Sequence, residues 1–251
     1  MTSEDRDPDE GSRSSRVRGR RLPVWQEAIL LLGIALVLAI LVKALFVQAF
    51  YIPSASMEPG LVKNDRILVE KPSYWFGGPE RGDVVVFKDP GGWLPPGEPP
   101  SALARALAKV GLFPTEGHLV KRVIGVAGDV IRCCDEQGRL MVNGQPLDEE
   151  DYAVLDGADC YGPMPRGSAS CDWRVGPVPH GRVFVMGDNR SNSADSSRHA
   201  CLGAPIGTAC DEDPYVDVDD VVGKVFVLAW PVDRFGFLHR PATFDDVPDA
   251  S

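Results

Sequence analysis

Residues 140–147 read LMVNGQPL, two short apolar runs joined by Asn143-Gly144. Asn-Gly in this setting signals a type I′ hairpin, because both turn residues need positive φ and these two types adopt it most easily. Outward from the hairpin lie further β-rich runs separated by turn residues, at 67–70, 84–87, 123–126, 130–132, 182–186 and 221–229. Amphipathic segments of helix length are nearly absent. The pattern predicts a mainly β domain of antiparallel sheets or a partly open β-barrel.

Two insertions interrupt the strands. Residues 89–117 start with the Pro/Gly-rich run PGGWLPPGEPP and continue with a helix expected over 101–110, capped by Ser101 and Gly111. Leu103, Leu107 and Val110 share one face, which packs on the sheet or meets a membrane surface. Residues 199–220 form the second insertion, which is acidic.

Upstream the chain changes character. Residues 28–42, AILLLGIALVLAILV, carry no charge, and Lys43 and Glu27 can snorkel from the two ends. From Trp25 to Val47 the helix would be about 34 Å long at ~1.5 Å per residue, enough to cross a bilayer. Arg13, Arg16, Arg18, Arg20 and Arg21 precede it and orient the N-terminus to the cytoplasm. A buried core helix would show a polar face, which this run lacks. A cleavable signal peptide is the rival, since Val47-Gln48-Ala49 loosely fits a small-residue cleavage pattern; both readings export the rest of the chain. The expected organisation is a disordered cytoplasmic tail (1–22), one transmembrane anchor (23–47), an extracytoplasmic domain (48–240) and a C-terminal tail (241–251).

The 251 residues hold 26 Lys plus Arg against 36 Asp plus Glu, a net charge of −10. Such an acidic chain is a poor partner for phosphate backbones, so no nucleic acid partner is expected. All six cysteines lie beyond the apolar run, and export favours disulfides. Local spacing favours Cys160–Cys171 and Cys201–Cys210, leaving the adjacent Cys133 and Cys134, which could bridge each other only with strain. With no C-x-x-C and four scattered histidines, neither a metal site nor a cofactor is expected.

Three segments bear chemistry. IPSASMEPGL (52–61) places serines between prolines just past the apolar run. HLVKRVIGVAGD (118–129) carries Lys121 in an apolar strand, where alternation groups it with Leu119 and Val123 on a face suited to burial. Burial disfavours an ammonium and lowers its pKa. VMGDNRSNSADSSR (185–198) leaves a strand for a polar, turn-rich loop. Each has an ordinary reading alone: a loop, a snorkelling lysine, a surface Asx turn.

Taken together and in order, the three resemble the sequence boxes of bacterial type I signal peptidases, membrane-anchored Ser/Lys endopeptidases of protein export. RGDVVVF (81–87) matches a further β-strand box between them. The resemblance implies Ser56 as nucleophile, Lys121 as general base, and Ser54 with the Ser56 N–H as the oxyanion hole. It also implies Ser193 as the residue orienting the lysine, and Asp195 and Arg198 as a structural pair near the site. The chain departs from the family in carrying Asp195-Ser196-Ser197-Arg198 where Asp-Ser-Arg is common. The implied substrates are preproteins cleaved after small residues at A-x-A-like sites, at the outer face of the plasma membrane. Tyr51, Ile52, Pro53, Leu119 and Val120 are the edges expected to pair with an extended peptide. Two rivals are a self-cleaving Ser/Lys peptidase of the repressor type, which would lack the apolar run, and an inactive membrane-tethered β-domain, which would not need all of Ser54, Ser56, Lys121 and Ser193.

Overall fold

The structure is a computed structural model describing residues 23–75, 77–94, 117–154, 173–200 and 213–250. The chain splits near residue 41 into two units. A helix runs over Val24–Phe46, and apolar side chains along it, Ile29, Leu32, Leu36 and Ile40 among them, are exposed. Among the described residues no helix is long and apolar enough to cross a membrane; in this one the described side chains stop at Ile40 and resume at Phe46. The helix expected over 101–110, and Cys160, Cys171, Cys201 and Cys210, lie outside the described residues.

The second unit is mainly β. Its strands are β1 (Val47–Tyr51), β2 (Arg66–Glu70), β3 (Val84–Lys88), β4 (His118–Gly125), β5 (Ile131–Cys133), β6 (Met141–Val142), β7 (Gln145–Pro146), β8 (Trp173–Val175), β9 (Arg182–Met186), β10 (Val216–Asp217), β11 (Val221–Trp230) and β12 (Gly236–Phe237). One antiparallel sheet runs β1-β2-β11-β3-β4-β9-β10, with β12 also on β11; a smaller one runs β7-β6-β5-β8. The described strands do not close into a barrel, since β1 and β10 end the larger sheet.

Alternation explains why both faces of β3 are apolar. Val84 and Val86 pack with Ile52, Met57, Ile67 and Leu228, whereas Val85 and Phe87 pack with Leu119, Val123, Val183 and Val185. A strand covered on both sides reads as an unbroken apolar run. β4 begins five residues before the expected 123–126 run, because Lys121 and Arg122 interrupt its apolar signal yet are buried in the strand.

The predicted hairpin is present. Asn143 and Gly144 both take positive φ, joining β6 to β7. Asn143 also works through its side chain: Oδ1 accepts from Val130 N–H at 2.9 Å, and Nδ2 donates to Asp129 Oδ1 at 2.8 Å and to Pro248 O at 2.9 Å. Asp129 is fully buried and takes both Arg81 Nε and Nη2 at 2.7 Å. The residues after 240 join the same cluster, with Phe244 and Val247 buried against the small sheet. Cys133 and Cys134, expected to be left over, are bridged to each other.

Asp129→Ala leaves the Arg81 guanidinium beside an empty pocket. Breaking such a buried pair from one side costs about 3 kcal/mol, which in a domain of this size lowers Tm by roughly 6–12 °C. A thermal melt within 2 °C of the wild type would contradict the clamp.

Candidate active site

β1 runs into the 52–61 loop, which turns back through backbone bonds from Ile52 N–H to Asp65 O and from Asn64 N–H to Ile52 O, both 2.9 Å. This holds Ser56 over β4. Lys121 Nζ donates to Ser56 Oγ at 2.6 Å, with both residues buried. Ser54, which is exposed, has its Oγ 3.3 Å from Ser56 Oγ. The pairing of β3 with β4, Val85 opposite Lys121, fixes the lysine's place along the strand.

Lys121 is only 3% exposed. Burial pushes it down to about 8, and the nearby Asp195 and Asp188 carboxylates keep it from falling further. Neither acid is bare. Asp188 takes Arg122 Nε at 2.8 Å and Nη2 at 2.6 Å. Asp195 caps the short helix Ser196–His199 and accepts from Ser197 N–H, Ser197 Oγ–H and Gly187 N–H, at 3.1, 2.6 and 2.9 Å.

Two expectations need correcting. The Arg198 side chain makes no ion pair with Asp195 among the described residues: it is the third residue of a one-turn helix, exposed to solvent and joined to Asp195 only through its N–H to the Asp195 carbonyl at 3.0 Å, while Ser197 and Gly187 occupy the carboxylate. Ser193 is buried beside the pair, but its Oγ makes no hydrogen bond among the described residues, so the expected bond to Lys121 is not made. Its hydroxyl lies against Gly187, where any Cβ would collide with Ser193 Oγ and with the Ser56 carbonyl.

A groove of about 400 Å³ leads to Ser56 and Lys121, lined on one side by residues 50–54 and on the other by residues 117–120. It therefore brings together Tyr51, Ile52, Pro53, Leu119 and Val120. β9 pairs with β4 only from Arg122 onward, which leaves one edge of residues 118–121 without a strand among those described. A larger cavity, about 530 Å³, lies on the small sheet around Arg132, Trp173 and Arg174, with no nucleophile in its lining. Among the described residues no group of His, Cys, Asp or Glu is placed to hold a metal ion.

Residues 25–230 match the family described as signal peptidase, peptidase S26. The chain belongs to that family of serine endopeptidases. It is 39% identical over 244 residues to a probable signal peptidase I of Mycobacterium leprae (strain TN), covering 86% of this chain and 80% of that protein. It is 36% identical over 245 residues to the signal peptidase I of Mycobacterium tuberculosis (strain ATCC 25618 / H37Rv), covering 91% and 80%. A crystal structure of a signal peptidase I from Enterococcus faecalis V583 aligns at a TM-score of 0.32 and 21% identity, over 58% of this chain and 95% of that one.

Two ion pairs of this signal peptidase family member escaped the sequence reading. Arg122 sits beside Lys121 on a strand, so alternation sends it to the opposite face, where a charge needs a partner; that was the available signal for Asp188. Arg190 is fully buried and holds Glu149 through Nη1 at 2.9 Å and Nη2 at 2.5 Å. Glu149 lies in the acidic stretch DEED, where nothing distinguishes it from its exposed neighbours.

The lysine also sets a stability signature. Its folded pKa lies below the ordinary 10.5, so between about 8 and 10.5 the unfolded chain binds more protons, and stability from this group rises with pH through that window. Below it the buried ammonium costs about 3 kcal/mol. Lys121→Met should therefore be at least as stable as the wild type at pH 7, with the advantage shrinking toward pH 10, as read by urea unfolding at both pH values. A variant less stable at pH 7 would contradict the burial cost.

Proposed function

We propose that this protein is a membrane-bound signal peptidase that removes N-terminal signal peptides from exported preproteins. In this reading residues 23–47 anchor it in the plasma membrane by a single pass, with residues 1–22 in the cytoplasm and the peptidase domain outside. The observation that carries the proposal is the 2.6 Å contact between a serine hydroxyl and a buried lysine amine at the head of a groove bounded by two chain edges.

The chemistry follows from that contact. From a pKa of about 8 the neutral amine costs about 1.4 kcal/mol at pH 7, against roughly 4.6 kcal/mol for an ordinary lysine. In the neutral form the hydrogen bond reverses: the Ser56 hydroxyl donates to the Nζ lone pair. Ser56 Oγ then attacks the scissile carbonyl as Lys121 takes its proton, and the lysine returns that proton to the departing amine. Water attacks the resulting ester in the same way, with Lys121 again as base, and frees Ser56. In this reading the Ser54 hydroxyl, 3.3 Å from Ser56 Oγ, and the Ser56 N–H are the donors to the developing oxyanion, a contribution of about 3 kcal/mol per donor.

The groove supports the substrate class. An extended peptide can pair with residues 51–53 on one side and 119–120 on the other, giving affinity through backbone bonds and selectivity through alternate side-chain pockets. Small residues at the −1 and −3 positions, as in A-x-A, are the expected choice. The first edge of the groove, residues 50–54, follows the proposed anchor within a few residues of sequence.

Purified protein and a preprotein with an A-x-A site provide the test. Ser56→Ala, Lys121→Ala and Lys121→Arg should each lower kcat by about 10³-fold or more, and Ser56→Ala/Lys121→Ala should be little worse than either single change. An active Lys121→Arg enzyme would refute the lysine as base. In the wild type kcat/KM should climb with pH toward about 8, as Lys121 loses its proton. A limb found only near pH 10 would contradict the role given to burial.

A further inference from the structure

Residues 149–154 belong to none of the segments singled out in the sequence, yet they touch two of them. Ala153 forms an antiparallel bridge with Pro59, just past Ser56, and Val154 forms a parallel bridge with Asn189. Val154 N–H donates to Asp188 O at 2.9 Å, and Val154 O accepts from Arg190 N–H at 3.2 Å. On the other side of that turn, Asn189 N–H donates to Ser56 O at 3.1 Å. Residues 153 and 154 thus form a strut. One grips the loop leaving the nucleophile, and the next grips the turn that holds the nucleophile's own carbonyl.

One carboxylate residue fixes the strut. Glu149 O accepts from Tyr152 N–H at 3.2 Å and Ala153 N–H at 2.9 Å, closing the turn that leads into it. The Glu149 side chain, 2% exposed, takes Arg190 Nη1 and Nη2 and the Tyr152 hydroxyl, the last at 2.8 Å. Arg190 donates its remaining Nε–H to Gly187 O at 2.9 Å. Both ends of the 187–190 turn therefore hang on this ion pair.

We infer that Glu149 is a positioning residue for the reaction: through Arg190 and the 153–154 strut it sets the place of the Ser56 carbonyl, and with it the aim of the Ser56 hydroxyl at Lys121. The inference rests on the dyad reading above. The charged and titratable groups around it are Arg190 and Tyr152, with Arg122 stacked on the Tyr152 ring at 4.5 Å and paired to Asp188. Asp188 and Asp195 in turn act on Lys121. Without the Glu149 charge, Arg190 draws on Asp188 and weakens that acid's hold on the lysine's proton.

The experiment measures steady-state cleavage of an A-x-A preprotein by the full-length enzyme in lipid. Glu149→Gln should lower kcat by about 10- to 100-fold, the cost of slight misplacement of a reacting group, with KM within twofold. Its ascending pH limb should move to lower pH. Glu149→Asp, which keeps the charge, should restore the limb while recovering only part of kcat. Should the glutamine variant fail to fold, Tyr152→Phe loses one hydrogen bond, keeps the ion pair, and should give a smaller fall in kcat with KM unchanged. A lowered Tm with kcat and limb unchanged would overturn the inference, as would a loss confined to KM. Ser56→Ala in the same assay separates the two readings: activity there strikes at the dyad, whereas an unchanged Glu149→Gln in an enzyme that needs Ser56 strikes only at the strut.

Discussion

The organising constraint is an amine kept out of water within hydrogen-bonding distance of a hydroxyl. Desolvation favours the neutral form of Lys121, and two neighbouring carboxylates favour the charged one. Desolvation prevails because neither carboxylate faces the lysine unengaged. Asp188 is clasped by Arg122, and Asp195 is saturated by Gly187 and Ser197. The ion pairs and caps around the site are therefore part of its proton chemistry as well as of its stability, since Arg122 offsets the charge of Asp188 while the uncharged donors on Asp195 hold its carboxylate in place.

The sheet order makes that arrangement possible. β4 lies between β3 and β9, so the lysine strand is flanked by the RGDVVVF strand and by the strand that delivers the 187–190 turn. Ser56 arrives from the far edge of the sheet, on the loop after β1, and is tied down through its carbonyl by Asn189. Segments distant in sequence meet because the strands between them pair antiparallel and bury both faces of β3.

Much of this was legible in the residues, for identifiable reasons. Asn143-Gly144 announced its hairpin because the backbone conformation it adopts is costly for most other types. Lys121 announced itself by interrupting an apolar alternation. The extent of β4 was blurred by the same charges, and β1 was hidden because its residues continue the apolar run before it. Arg198 misled because the family resemblance implied an Asp–Arg pair that the longer Asp195-Ser196-Ser197-Arg198 spacing does not form, while Ser197 supplies cap bonds to Asp195. Glu149 was invisible: its partner is 41 residues away, and only the fold separates it from the exposed acids beside it.

Neighbouring cations on one strand give the register of β4 an unusual weight. Lys121 and Arg122 are adjacent, both buried, and alternate between opposite faces, with Val85 and Val84 as their partners on β3. A slip of one residue would turn every side chain of the strand to the other face and present a guanidinium to Ser56. That group holds its proton throughout the physiological range, so the slipped strand would lack the neutral amine that the proposed mechanism needs, and it would also separate Asp188 from its partner. The Arg122–Asp188 pair thus acts as a key for strand alignment: the arrangement that satisfies the ion pair is the one that brings to Ser56 an amine able to lose its proton.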